Sequence, residues 1–247
     1  SSHPLVSRQV LTLSEQLRSI PLLVIGNPKA DQDIVLTCRH HACESTPAYL
    51  LEGLLTQYLE HSSSNILEDY RIHYIPFVDI DGVENGDQGK NRNPHDHNRD
   101  YIDSPLYQST AAIIEYVKTL NLTAGIDFHG PFKWGGRNDY PFFVKQYSPI
   151  KEEIEKLSEC LEQVTANRRT KDCIRYTPVH DIEMGVDWNQ PHGRSCSAFF
   201  QRQHAKLAFT FEFPYFGTED MVFTQSNCRQ FGKDFAQALE VYLFDYK

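Results

Sequence analysis

The chain has 247 residues, with 24 Lys and Arg against 33 Asp and Glu and a formal net charge of −9. That length suits one α/β domain with a sizeable core needing neither disulfide nor metal, and the acidic balance argues against a nucleic-acid scaffold. No apolar run is long enough to span a membrane.

The first ten residues, "SSHPLVSRQV", lack a charged region followed by an apolar stretch, so no secretory signal is expected and the cytoplasm is the expected location. Helical periodicity runs through Val6–Ser19. "PLLVIGN" and "DIVLTCR" then read as strands, followed by a helix over Pro47–His61 and a strand at "RIHYIPF". Phe77–Ser104 has no hydrophobic period, and a structureless connection this long is usually functional or disordered. A helix over Pro105–Leu120 precedes strands at "AGIDFH" and "YPFFVK". A helix over Ile150–Asn167, a strand at "LAFTFEF" and a helix over Cys228–Phe244 complete the pattern. Near-continuous apolar strands alternating with helices imply an open, parallel or mixed sheet with helices on both faces. A single domain over residues 1–247 is expected.

In such folds ligands bind beyond the carboxyl ends of the strands, so polar residues there carry the functional signal. "DIVLTCR" runs into "HHACE", where His41 and Glu44 are three apart and can face one point; His40, four before Glu44, competes for the same role. "AGIDFH" ends at His129. Two histidines and a glutamate match a zinc site with three protein ligands and an open position. Glu212 interrupts an apolar strand, where an unpaired carboxylate is costly, so it needs a basic partner or a place in a site. The 77–104 segment carries Lys90, Arg92, Asn98 and Arg99, and its arginines suit a carboxylate. His95, Asp96 and His97 form a weaker candidate for a second metal site. The six cysteines have no metal-ligand spacing and read as free thiols in a reducing compartment.

The order of an HxxE pair, a DxNR segment, a strand-end His and a Glu in the last strand resembles the zinc metallocarboxypeptidases of the carboxypeptidase A/B superfamily, closer to bacterial or cytosolic-type members than to digestive ones. The resemblance implies an α/β/α sandwich around a mixed, roughly eight-stranded sheet. It makes His41, Glu44 and His129 ligands of one Zn2+, and Glu212, in "FTFEF", the general base. In "DHNRDY" it gives Asn98 and Arg99 to the substrate's terminal carboxylate and Asp96 to the orientation of His41. In "GKNR" it makes Arg92 the group that stabilises the oxyanion. The implied reaction is hydrolysis of a C-terminal amide: zinc brings the pKa of water from 15.7 toward about 7, and Glu212 takes the proton and passes it to the leaving amine.

The chain departs from digestive members in the stretch before Glu212, "VDWNQPHGRSCS", which holds no tyrosine. Tyr176 and Tyr215 are the candidate replacements, and the specificity position falls near Ser197. The expected partner is a peptide or acyl-amino acid with a free carboxylate, without nucleic acid or membrane. The rival readings are an amidase or deacylase resembling aspartoacylase and succinylglutamate desuccinylase, and a non-catalytic binding module on the same fold.

Overall fold

A computed structural model describes residues 3–60, 66–136, 138–168, 173–218 and 221–246. In chain order the elements are β1 (Val6–Leu13), β2 (Ser19–Ile25), β3 (Gln32–Cys38), α1 (Thr46–Glu60), α2 (Ile66–Asp69), β4 (Tyr70–Ile75), α3 (Ile80–Asn85), α4 (Gln108–Val117), β5 (Leu122–His129), β6 (Phe142–Val144), α5 (Ile150–Ala166), α6 (Cys196–Arg202), β7 (Leu207–Glu212) and α7 (Gln225–Asp245). The strands form one mixed sheet in the order β1-β2-β4-β3-β5-β7-β6. Seven strands stand among the described residues where roughly eight were expected.

The chain divides into two compact units. The first comprises Ser1–Glu44, Asn65–His129 and His192–Phe209. At its centre β3 runs parallel to β4 and β5, and both β3 and β5 are buried along most of their length. Strands covered on both faces need unbroken apolar runs, which "DIVLTC" and "AGIDFH" supply. The β3–β5 register pairs Thr37 with Asp127 and Cys38 with Phe128, so both strands end at the same level. That alignment sets the spacing of the polar residues that follow them.

Val6–Leu13 is a strand, not the expected start of a helix. It pairs antiparallel with β2 through a bulge between Val10 and Thr12 and is largely exposed. Sparse apolar residues in "VSRQVLTL" fit either period, and pairing with the neighbouring strand decides between them. The expected loop 77–104 contains α3 and a 3₁₀ turn at His97–Arg99; both are too short for periodicity to reveal. The α1 prediction extended to His61, which lies outside the described residues.

The second unit comprises Ser45–Ser64, Gly130–Pro191 and Thr210–Lys247. Here α1 packs on α7, where Gly232 lies against the backbone carbonyl of Leu50 with no room for a β-carbon. Phe211 on β7 meets Phe143 edge-on at 4.9 Å and Phe235 at 5.0 Å between ring centroids. Tilted and edge-on pairs of this kind suit the aromatic quadrupole. No helix among the described residues is long and apolar enough to cross a membrane.

Candidate metal centre

The site begins where β3 stops. Arg39 adopts a left-handed φ of 62° immediately after the strand, a conformation that costs a non-glycine residue energy and must be held by its surroundings. Its Nε donates to the Ala42 carbonyl at 2.8 Å, and Glu44 N donates to the His41 carbonyl at 3.1 Å. This tight turn swings His41 and Glu44 together, with Nδ1 2.8 Å from Oε1. The strand register then delivers His129, whose Nδ1 lies 2.7 Å from Glu44 Oε2 and 3.2 Å from His41 Nδ1.

One donor atom from each of the three residues falls within 4.8 Å of the others. Glu44 and His129 are 1% and 2% exposed. Two imidazole nitrogens and a carboxylate converging on one point are donors zinc accepts, and three protein ligands leave a position for a reactant. The residues fit the ion.

Burial opposes charge on all three groups, but their mutual attraction outweighs it. His129 and His41 hold the Glu44 carboxyl well below its usual range. Asp127 and Glu44 drive the His129 imidazole well up, and Glu44 with Asp96 raises His41. A metal ion entering here displaces those imidazole protons, so its affinity depends on pH.

Behind the ligands stands Asp127, two residues before His129 on β5 and fully buried. Its Oδ2 lies 2.7 Å from His129 Nε2, while Oδ1 accepts from Thr37 Oγ1 at 2.8 Å and lies 2.8 Å from His40 Nδ1. Against the cost of burial, His129 and His40 hold the Asp127 carboxyl far below its usual range. An acceptor at Nε2 keeps the proton there and leaves Nδ1 free to face a metal. Asp127 was not among the sequence candidates, although its two-residue spacing from His129 on a strand puts both side chains on one face.

His40 turns the other way from His41. It is fully buried, with Nε2 2.6 Å from Tyr101 Oη. With Asp127 and Cys196 it makes a second converging donor group. Cys196 Sγ lies 3.6 Å from Thr37 Oγ1, so the group is knitted together by hydrogen bonds.

The long segment distributes its charges unevenly. Asp96 Oδ1 is 3.5 Å from His41 Nε2; burial raises its pKa, but His41 and Arg99 bring it to about 2. Asn98 is buried, its Oδ1 accepting from Cys196 N at 2.9 Å and its Nδ2 3.1 Å from His129 Nε2. Arg99 Nη1 donates to the Asn98 carbonyl at 3.0 Å. Arg92 Nη2 reaches Asp79 at 2.5 Å and Asp87 at 3.2 Å. Lys90 Nζ lies 2.7 Å from Glu44 Oε1, a contact the sequence does not announce. His95 pairs with Asp100 at 2.6 Å and His97 stacks on Tyr107 at 3.7 Å. Neither histidine joins a converging donor group among the described residues.

Within the second unit, Glu212 ends β7 opposite Phe142 and is 7% exposed. Tyr176 is buried, its hydroxyl donating to Asp181 at 2.8 Å and lying 2.5 Å from Ser158 Oγ. Tyr215 lies against Gly130. Ser197, in the first unit, is buried with Oγ 3.2 Å from Ser195 Oγ. Cys38, Cys160, Cys196 and Cys228 are free and buried.

Comparison with solved structures reveals the same fold in a metallo-carboxypeptidase from Burkholderia cenocepacia, at a TM-score of 0.79 and 15% identity over 100% of this chain and 66% of that one. A Pseudomonas aeruginosa metallo-carboxypeptidase, solved with (2-guanidinoethylmercapto)succinic acid, gives 0.72 and 19% over 97% and 65%. Carboxypeptidase A from Helicoverpa armigera gives 0.73 and 11% over 97% and 68%. The chain thus spans about two thirds of the length of these structures. Comparison with curated proteins returned no match. The zinc carboxypeptidase family model matches residues 1–238, and the chain belongs to that family.

Proposed function

We propose that this chain is a zinc-dependent hydrolase that releases a C-terminal residue from a peptide. The convergence of His41, Glu44 and His129 carries the reading. In this reading those three residues hold the ion, with His129 oriented by Asp127 and His41 by Asp96. Zinc, when bound, supplies a Lewis acid and brings the pKa of water toward about 7.

The chain's own groups do the rest. Glu212 takes the proton of the attacking water and returns it to the leaving amine, a task suited to a carboxylate at a buried strand end. Arg99 carries the fixed charge for the terminal carboxylate of the substrate. Asn98, whose Oδ1 accepts from Cys196 N and whose Nδ2 lies against His129, has a second amide N–H to offer the same carboxylate. In this reading residues 1–247 act as one catalytic domain.

The test pairs zinc content with hydrolysis of C-terminal peptides and N-acyl amino acids. His41→Ala and Glu44→Ala should lose zinc, whereas Glu212→Gln should retain it and lose turnover. Full zinc occupancy in the first two variants, or robust hydrolysis by the third, removes those residues from their roles. Cleavage of N-acyl amino acids alone would make the chain a deacylase.

A further inference from the structure

In a chain with a formal net charge of −9, arginines readily find carboxylates. Arg18, Arg71, Arg92, Arg168 and Arg229 each do so. Arg99 and Arg194 make no ion pair among the described residues. Arg99 Nη1 donates to the Asn98 carbonyl, and Asp96 acts on it only at longer range. Arg194 Nη2 lies 3.5 Å from His95 Nδ1. Both guanidiniums act on His192, whose pKa falls first through partial burial and then through their two charges. Such an effect fades with distance, so the two arginines stand around one imidazole.

The backbone accounts for that juxtaposition. Tyr101 N donates to the Arg194 carbonyl at 3.2 Å, and Cys196 N donates to Asn98 Oδ1 at 2.9 Å. The segment before α6 is thereby fastened alongside the turn that carries Arg99. Arg202 ties the two together, donating from Nη1 to the Gly193 carbonyl and from Nη2 to the Tyr101 carbonyl. Ser195 Oγ accepts from Ala198 N at 3.2 Å and fixes where α6 begins. The specificity position expected near Ser197 carries no charge, and Ser197 is buried. Three residues earlier, Arg194 is exposed and presents a permanent one.

Two neighbouring guanidiniums without carboxylates repel each other and favour a ligand that brings two negative charges. We propose that Arg194 sets the side-chain preference of the hydrolase. Arg99 takes the terminal carboxylate of the substrate, and Arg194 takes the side-chain carboxylate of a C-terminal glutamate or aspartate. The inference rests on the hydrolase reading above and adds the substrate class to it.

Peptides ending in glutamate and in glutamine are nearly isosteric and differ in charge, so the ratio of their kcat/KM values reads the effect of Arg194. The parent should favour glutamate by at least about fivefold, the effect of one hydrogen bond between charged groups. Arg194→Gln should bring the ratio to within about twofold of unity, because specificity is a difference between two affinities. Its loss on the glutamate peptide should fall mainly on KM, as for an interaction already made in the ground state. Arg194→Lys should keep part of the preference, since it returns the charge without the planar fork. A parental ratio near unity, or a parental ratio retained in Arg194→Gln, overturns the inference and leaves the hydrolase reading intact. Calorimetric titration of the zinc-loaded protein with N-acetylglutamate and N-acetylglutamine reads binding apart from turnover. If no substrate is cleaved, the hydrolase reading falls and this arm judges the dicarboxylate site alone. A preference for N-acetylglutamate of at least about fivefold that Arg194→Gln abolishes supports the site, and equal affinities overturn it. Hydrolysis of N-acetylglutamate but of no peptide would keep the acidic specificity and move the chain to the deacylases.

Discussion

Replacing Asp127 by asparagine changes one atom and should weaken zinc binding by about 10- to 100-fold. In the native arrangement Asp127 Oδ2 accepts from His129 Nε2 at 2.7 Å, fixing the tautomer that leaves Nδ1 for the metal. An amide presenting NH2 there offers Nε2 a donor, and Asn98 Nδ2 already stands 3.1 Å from the same nitrogen. Two donors around Nε2 favour the ring form protonated at Nδ1, which cannot ligate. Flipping the amide restores the acceptor for His129 but turns NH2 toward Thr37 and His40, so neither orientation is neutral. The loss corresponds to about 1.4–2.8 kcal/mol of binding free energy. Chelator competition near neutral pH measures it, and circular dichroism checks that the near-isosteric variant remains folded. Zinc affinity within about twofold of the parent would refute the orienting role, because outer partners of metal-bound histidines rarely matter so little.

Two further predictions concern stability. Burial drives the Asp181 pKa from 3.8 to about 6 despite hydrogen bonds from Phe143 N and Tyr176. Between those values the folded state holds more protons than the unfolded one, so this carboxyl's contribution to stability declines as pH rises and levels off above about 6. Asp181→Asn should abolish that slope and relieve on the order of 2–3 kcal/mol above it, read as denaturant midpoints across pH 4–8; an unchanged slope would place the titration elsewhere. Gly232→Ala puts a methyl group against the Leu50 carbonyl between α1 and α7 and should cost about 1–3 kcal/mol through overpacking. A thermal midpoint equal to the parent's would mean that the two helices separate at little cost.

Much of the architecture was legible because its signals are local. Buried central strands require apolar runs such as "DIVLTC" and "LAFTFE", and long amphipathic helices such as α5 advertise their period within a few turns. The pairing of His41 with Glu44 also follows from a short-range fact, a three-residue spacing in a tight turn, while the β3–β5 register brings His129 to them. β1 was misread because its few apolar residues satisfy two periods at once, and only pairing with β2 selects the strand. Charge partners were less legible still. The resemblance singled out Arg92 from the basic tract it shares with Lys90, but the sequence did not show which carboxylates either one meets. The folded chain brings Asp79 and Asp87 to Arg92 and Glu44 to Lys90. It likewise turns His40 toward Tyr101 and Asp127 while its neighbour His41 faces Glu44. Residue type and spacing thus determined which chemistry the chain could assemble. The tertiary structure decided which charge meets which carboxylate, because an electrostatic contact depends on distance in space and burial, neither of which order along the chain encodes.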